Sequence, residues 1–143
     1  MMSKKCKYAL KALTSLAQHY NKGLLQAGVM AEADGIPKKF LDQILLDLKR
    51  AKIVNSRQGI GGGYYLVKAP SEISVADVYR LFDGPIALTP CASLYFYEKC
   101  DDCKDEATCY LRKEFISIRE KTRSIMSETT LQSFVDNKSR LLP

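Results

Sequence analysis

Four cysteines, Cys91, Cys100, Cys103 and Cys109, fall within a 19-residue stretch of a 143-residue chain. Thiolates are soft, strongly donating ligands that hold iron–sulfur clusters or zinc. Four on one segment can complete an all-thiolate site without a histidine. The segment also carries Glu98, Asp101, Asp102, Asp105 and Glu106 against Lys99 and Lys104. That field suits a cation and hinders phosphate. Three chemistries stay open: a redox-responsive cluster, a structural zinc site, and metal-free thiols that can switch to disulfides. Zinc ribbons commonly use two close cysteine pairs, and here only Cys100 and Cys103 form one. The fifth cysteine, Cys6, reads as a packed or half-exposed thiol, or else as a ligand given to the site of a partner subunit.

The remaining chemistry-bearing residues are few. His19 is the single histidine, and its place in the first helix suggests a structural or surface role. No nucleophile, base and orienting group can be assembled around it, so the chain is not expected to be an enzyme. An odd cysteine count, with no secretory leader at the N-terminus, argues against a disulfide scaffold. No run of about 18 apolar residues is present, so no membrane partner is expected and the expected compartment is the cytoplasm. Apolar residues make up 46% of the chain, enough to fill a core.

Charge separates the two halves. Residues 1–70 carry 12 Lys or Arg against 4 Asp or Glu, a balance of +8, and residues 71–143 carry 10 against 12. The first half has the footprint of a polyanion binder.

The elements that must position these groups follow from periodicity. Residues 4–20 read as a helix with Ala9, Leu13, Leu16, Ala17 and Tyr20 on one face. Residues 27–34 form a short second helix, Asp34-Gly35-Ile36 a turn, and Pro37 opens a third helix over residues 37–50. Leu41, Ile44, Leu45 and Leu48 line its inner side. Two helices joined by a tight glycine turn make a helix-turn-helix. Strands are expected at 53–56 and 64–67, with RQGIGGG between them as a glycine-rich wing whose tip carries Arg57. Ser74 and Asp77 resemble a capping box that opens a fourth helix, which Gly84 and Pro85 end. After the cysteines, residues 110–127 form a long helix in which Leu111, Phe115, Ile118, Thr122 and Ile125 make a heptad seam. Such a seam suits a second copy of the chain. A last short helix, TLQSFVDN, capped by Thr129 or Thr130, precedes a loose tail.

The run IPKKFLDQILLDLKRAKIVNSRQGIGGGYYLVKAPSEISVADVYRLFDG resembles the core of the Rrf2 family of bacterial regulators. KYALKALTSLAQHY, the cysteine segment and TLQSFV fit as well, so the resemblance covers nearly the whole chain. The specific part is an ordered set: IP and the third helix, GGGY, a fourth helix ending in DG, then cysteines. The resemblance implies dimeric winged-helix proteins, some of which bind an iron–sulfur cluster through three loop cysteines and a further ligand. For this chain it implies Cys91, Cys103 and Cys109 as ligands, with Cys100 the first candidate for the fourth and able to replace Cys103. It favours a 2Fe–2S over a 4Fe–4S cluster, with zinc or no metal as alternatives. Two departures stand out. Gln58 occupies a wing position where relatives often carry Arg, and Arg112 stands where cluster regulators place a histidine ligand.

The expected fold is therefore mainly α with a small β-hairpin: a winged helix-turn-helix domain over 1–85, a cysteine-containing sensor loop over 86–109, and a dimerisation helix, short terminal helix and tail over 110–143. The expected function is a homodimeric regulator that binds double-stranded DNA. Lys38 and Lys39 would reach phosphates or guanines, Asp42 and Gln43 would face base edges, and Arg57 and Gln58 would act from the wing. The rival is a winged-helix protein-interaction module stapled by zinc, without a DNA operator.

Overall fold

The computed structural model describes residues 1–141, in the order α1 (Lys4–Gln18), α2 (Ala27–Asp34), α3 (Lys38–Arg50), β1 (Val54–Arg57), β2 (Gly63–Leu66), α4 (Val75–Asp83), α5 (Tyr110–Glu128) and α6 (Leu131–Leu141). Mainly helical, with one two-stranded antiparallel hairpin, the chain has the expected fold class. No described helix is long and apolar enough to cross a membrane.

Helix α1 starts at Ser3, whose Oγ accepts the Cys6 N–H at 3.0 Å. It buries Cys6, Ala9, Leu13 and Leu16 against Met30 of α2 and Leu41, Ile44, Leu45 and Leu48 of α3. Gly35 closes α2 in the left-handed region, at φ 64°. The Ile36 N–H reaches back to the Ala31 carbonyl at 2.9 Å, a Schellman closure that sets the helix-turn-helix corner. Pro37 precedes the first residue of α3 and acts as its N-cap.

The exit of α3 explains a one-residue shift of the wing. Lys52 takes φ 60° although it is not a glycine. Its N–H donates to the Lys49 carbonyl and that of Ile53 to the Leu48 carbonyl, both at 3.0 Å. Ile53 therefore completes the helix end, and β1 begins at Val54. Register pairs Val54 with Leu66 and Arg57 with Gly63. Arg57 is thus the last residue of β1, and Gln58–Gly62 form the tip.

The Ser74–Asp77 capping box is present. The Asp77 N–H donates to Ser74 Oγ at 3.2 Å, and the Ser74 N–H to Asp77 Oδ2 at 3.0 Å. Beyond α4 the chain runs through the cysteine segment into α5, then hooks back. The Val75 N–H donates to the Thr129 carbonyl at 2.8 Å, and the Leu131 N–H to the Ile73 carbonyl at 3.0 Å. The C-terminal end of α5 is thereby fastened to the first part of the chain. Helix α6 is longer than the sequence suggests: residues read as a loose tail continue it to Leu141, because Leu131, Phe134 and Val135 pack on the core. The last two tail residues, Leu142 and Pro143, lie outside the described residues.

Candidate nucleic-acid interface and cysteine cavity

Helix α3 has two faces. Leu41, Ile44, Leu45 and Leu48 are buried, and the opposite stripe, Lys39, Gln43, Leu46 and Arg50 at helical spacing, is exposed. Lys38 and Asp42 flank that stripe and pair with each other at 3.1 Å. Gln43 Nε2 donates to Asp47 Oδ1 at 3.4 Å. Asp47 is in turn held by Lys5 of α1 at 2.7 Å. The hydrogen bond from Lys5 keeps the Asp47 carboxyl below the usual aspartate range. Both carboxylates of α3 are thus neutralised within the chain. Lys39, Lys49, Arg50, Lys52 and Arg57 remain as an exposed basic surface.

The structure brings Lys38, Lys39, Asp42 and Gln43 together on the outer side of α3 and sets Arg57 and Gln58 on the wing. Sequence reasoning passed over Lys49, whose Nζ donates to Ser56 Oγ at 2.8 Å and joins α3 to β1. It also passed over Leu46 and Arg50. Continuing the Lys39–Gln43 spacing by one and two turns would have found both.

Two neighbouring contacts fix the wing against the helices. Leu25, just before α2, and Tyr64 exchange N–H···O bonds of 3.0 and 2.8 Å. A Cβ at Gly63 would lie 2.8 Å from the Leu25 backbone, so only glycine allows that approach.

All four clustered cysteines line one cavity of about 460 Å³, together with Asp102, Lys104, Asp105, Leu111, Arg112 and Phe115. Cys91 sits in a buried 3-10 turn, Pro90–Ala92. Cys100 and Cys103 are the ends of a tight turn closed by the Cys103 N–H on the Cys100 carbonyl at 3.1 Å. Cys109 is the N-cap of α5, its Sγ accepting the Arg112 N–H at 3.4 Å. The hydrogen bond with Cys91 pushes the Cys100 thiol up to about 11. Desolvation, followed by the charge of Cys109, raises that of Cys103.

Among the described residues no three Cys, His, Asp or Glu side chains are arranged to hold a metal ion. The four cysteines nevertheless line the same cavity. As a donor set they fit an iron–sulfur group: soft, all sulfur, and facing one cavity. The acidic field expected from sequence is offset at the cavity wall, which Lys104 and Arg112 line along with Asp102 and Asp105.

Cys6 does not belong to this site. It is fully buried in the core, and burial with the nearby Asp83 charge pushes its thiol up to about 11. Burial removes it as a ligand offered to a second subunit. His19 is an exposed C-cap residue of α1 with Nδ1 3.0 Å from the Ser15 carbonyl.

A helix-turn-helix, a wing fastened to it, and an outward basic surface along α3 and β1 define a winged-helix DNA-binding regulator. Comparison with known proteins narrows the class. The pattern of the Rrf2 family, described as iron-dependent transcriptional regulators, matches residues 2–137. The Rrf2-like helix-turn-helix transcriptional regulator of Rhodobacter capsulatus is 43% identical over 138 residues, covering 94% of this chain and 92% of that protein. The regulator IscR of Photorhabdus laumondii is 27% identical over 140 residues, covering 98% of this chain and 82% of its own length. Among solved structures, CymR, the global cysteine regulator of B. subtilis, superposes with a TM-score of 0.79 at 26% identity, covering 96% of this chain and 97% of that one. The chain belongs to the Rrf2 family. It is a transcriptional regulator, not an enzyme.

Proposed function

We propose that the chain acts in the cytoplasm as a homodimer that binds a two-fold DNA operator, and that the state of its cysteine cavity sets operator affinity. The observation that carries this reading is the joint between the cavity and α5. Cys91, Cys100, Cys103 and Cys109 face one space, and Arg112 and Arg119 of α5 hold the main-chain carbonyls of Cys91 and Ala92 at 3.1 and 2.6 Å. Whatever reshapes the cavity therefore pulls on α5.

The case for a dimer comes from the uncovered seam. Leu111, Ile118 and Ile125 are 50, 45 and 66% exposed, and α5 buries no residue within the single chain. An apolar groove between α4 and α5, lined by Val75, Tyr79, Ile86, Leu88, Ile118 and Met126, continues this surface. A helix of this length spans about 28 Å and can carry a full intersubunit contact. In such a dimer two copies of α3 would enter successive major grooves. The Lys39–Gln43–Leu46–Arg50 stripe would face bases and phosphates, and Arg57 and Gln58 would reach the adjoining minor groove.

Cys91, Cys103 and Cys109, with Cys100 as the fourth, would hold an iron–sulfur cluster, 2Fe–2S ahead of 4Fe–4S. Such a group supplies a one-electron couple sensitive to its hydrogen bonds and exposure. The chain's own part is to present four thiols, to lay Arg112 along the cavity wall, and to pass a change at the Cys91 turn into α5.

Protein purified without oxygen tests the reading. Charge-transfer absorbance, with iron and acid-labile sulfide in similar amounts and both lost in Cys103→Ala or Cys109→Ala, is the expected result. Stoichiometric zinc in colourless protein would replace the cluster by a structural site. Protein that takes up no metal after reconstitution with iron and sulfide would leave thiol chemistry alone.

A further inference from the structure

The wing ends in an isoleucine that touches nothing. Between Arg57 of β1 and Gly63 of β2 the chain turns through Gln58, Gly59, Ile60, Gly61 and Gly62, and Ile60 is fully exposed. Gly59 and Gly61 flank it in the left-handed region, at φ 96° and 75°. The Gly62 N–H closes the turn on the Gly59 carbonyl at 3.0 Å. A Cβ at Gly62 would lie 2.4 Å from the Arg57 carbonyl oxygen, so the loop cannot carry a side chain there. Three glycines thus form a tight turn around one large apolar side chain. The hairpin beneath it does not swing freely. It is tied to the segment before α2 through Leu25 and Tyr64, and to α3 through Lys49 and Ser56.

An aliphatic group has no donor or acceptor, so it can distinguish base pairs only by shape and by what it strips of water. In the minor groove A·T and T·A show acceptors alone, while G·C adds the guanine 2-amino donor, which projects from the groove floor. An aliphatic wedge laid on that floor packs against A·T. Over G·C it meets the amino group and takes away its water without replacing the hydrogen bond. Arg57, at the foot of the same loop, offers the donors that A·T acceptors accept, and narrow A·T-rich grooves attract its charge.

We infer that Ile60 is a specificity-determining residue that seats in the minor groove beside the half-site and rejects G·C pairs there through the guanine 2-amino group. This rests on the operator-binding reading above and adds to it a base preference written by the wing instead of by α3. Apolar wedges are an established way to use the minor groove. Here the wedge is presented by glycines that leave it no intramolecular contact to give up on binding.

The test uses duplex DNA enriched from a random-sequence pool by the full-length protein. Each A·T pair flanking the half-sites is replaced in turn by G·C and by inosine·cytosine, which lacks only the 2-amino group. At the wing position G·C should weaken binding about tenfold and inosine·cytosine should restore it. Ile60→Gly and Ile60→Asn, both at a fully exposed site, should bring A·T and G·C to within about twofold there. Both variants should leave the preference at α3 positions unchanged. If the pool enriches a sequence but no position shows rescue by inosine, or if the variants discriminate like the unaltered protein, the assignment of Ile60 is overturned and operator binding stands. A pool that enriches nothing overturns both.

Discussion

Arg112 Nε donates to the main-chain carbonyl of Cys91 across 3.1 Å, fastening the turn that carries the first cysteine to the first turn of α5. Two helical turns further on, Arg119 Nη1 donates to the carbonyl of Ala92 at 2.6 Å. The two arginines are one heptad apart, on the same side of the helix, and hold consecutive carbonyls. The cysteine turn and α5 are thereby joined into one body by two hydrogen bonds.

Removing one of these bonds tests that body. The Arg119 side chain is 11% exposed and Ala92 is fully buried, so Arg119→Met would leave a buried carbonyl without a donor. The expected loss is about 1–3 kcal/mol of stability, read from the urea midpoint. Amide exchange across residues 86–109 should accelerate more than exchange in α3. Equal acceleration everywhere would mean that Arg119 supports the fold at large and not the cysteine turn.

Charge placed in the seam tests the assembly. Ile118→Lys puts an ammonium in the middle of the seam, at the edge of the apolar groove between α4 and α5. Since Ile118 is 45% exposed in the single chain, the monomer should keep its fold. Light scattering should then give the monomer mass, and operator affinity should fall about a hundredfold through loss of the second half-site contact. A monomeric unaltered protein that binds its operator fully would reject the dimer.

Much of this architecture was legible in the sequence because the signals were local. The apolar spacing of α3, the Gly35 turn, the Ser74–Asp77 box and the glycine-rich wing each act within a few residues. What escaped was decided elsewhere. Lys52 ends α3 in a conformation usually left to glycine, which spends Ile53 on the helix end and moves β1 by one residue. Helix α6 outruns its local pattern because Phe134 and Val135 pack on the core and Lys138 reaches Gln18 of α1 at 3.2 Å. The cysteines were visible as a cluster. Their common cavity and the Arg112 and Arg119 bonds, which span 21 and 27 residues, were not. Cys109 as a helix cap also escaped, because cysteine is not among the usual capping residues.

Acid should loosen the seating of α3. Lys5 Nζ meets Asp47 Oδ2 at 2.7 Å and lowers the carboxyl relative to its unfolded value. A depressed carboxyl contributes stability that is complete above the unfolded pKa and lost as pH falls through the folded one. The loss therefore belongs below about pH 4. Asp47→Asn should cost about 0.5–1 kcal/mol at neutral pH and less at pH 3. Urea midpoints of both proteins at the two pH values would show their curves converging in acid. Parallel curves would mean that the pair contributes nothing.

Two kinds of contact on α3 should separate under salt. Lys39 stands on the outer stripe without an ion-pair partner among the described residues, whereas Lys38 is already offset by Asp42 at 3.1 Å. Lys39→Ala should lower the slope of log affinity against log salt by roughly one and leave base preference intact. Lys38→Ala should lower it by less, and Asp42→Asn should strengthen non-specific binding by freeing that charge. Gln43 lies on the same stripe, and its amide can pair with adenine once it leaves Asp47. Gln43→Ala should preserve the salt slope and flatten preference at one base pair per half-site, at about 1–3 kcal/mol. Titrations of each variant against the selected duplex, at several salt concentrations and with single base-pair changes, give both quantities. If Gln43→Ala leaves every position equally discriminated, α3 does not face the bases with its Lys39–Gln43–Leu46–Arg50 stripe and the docking described above is wrong.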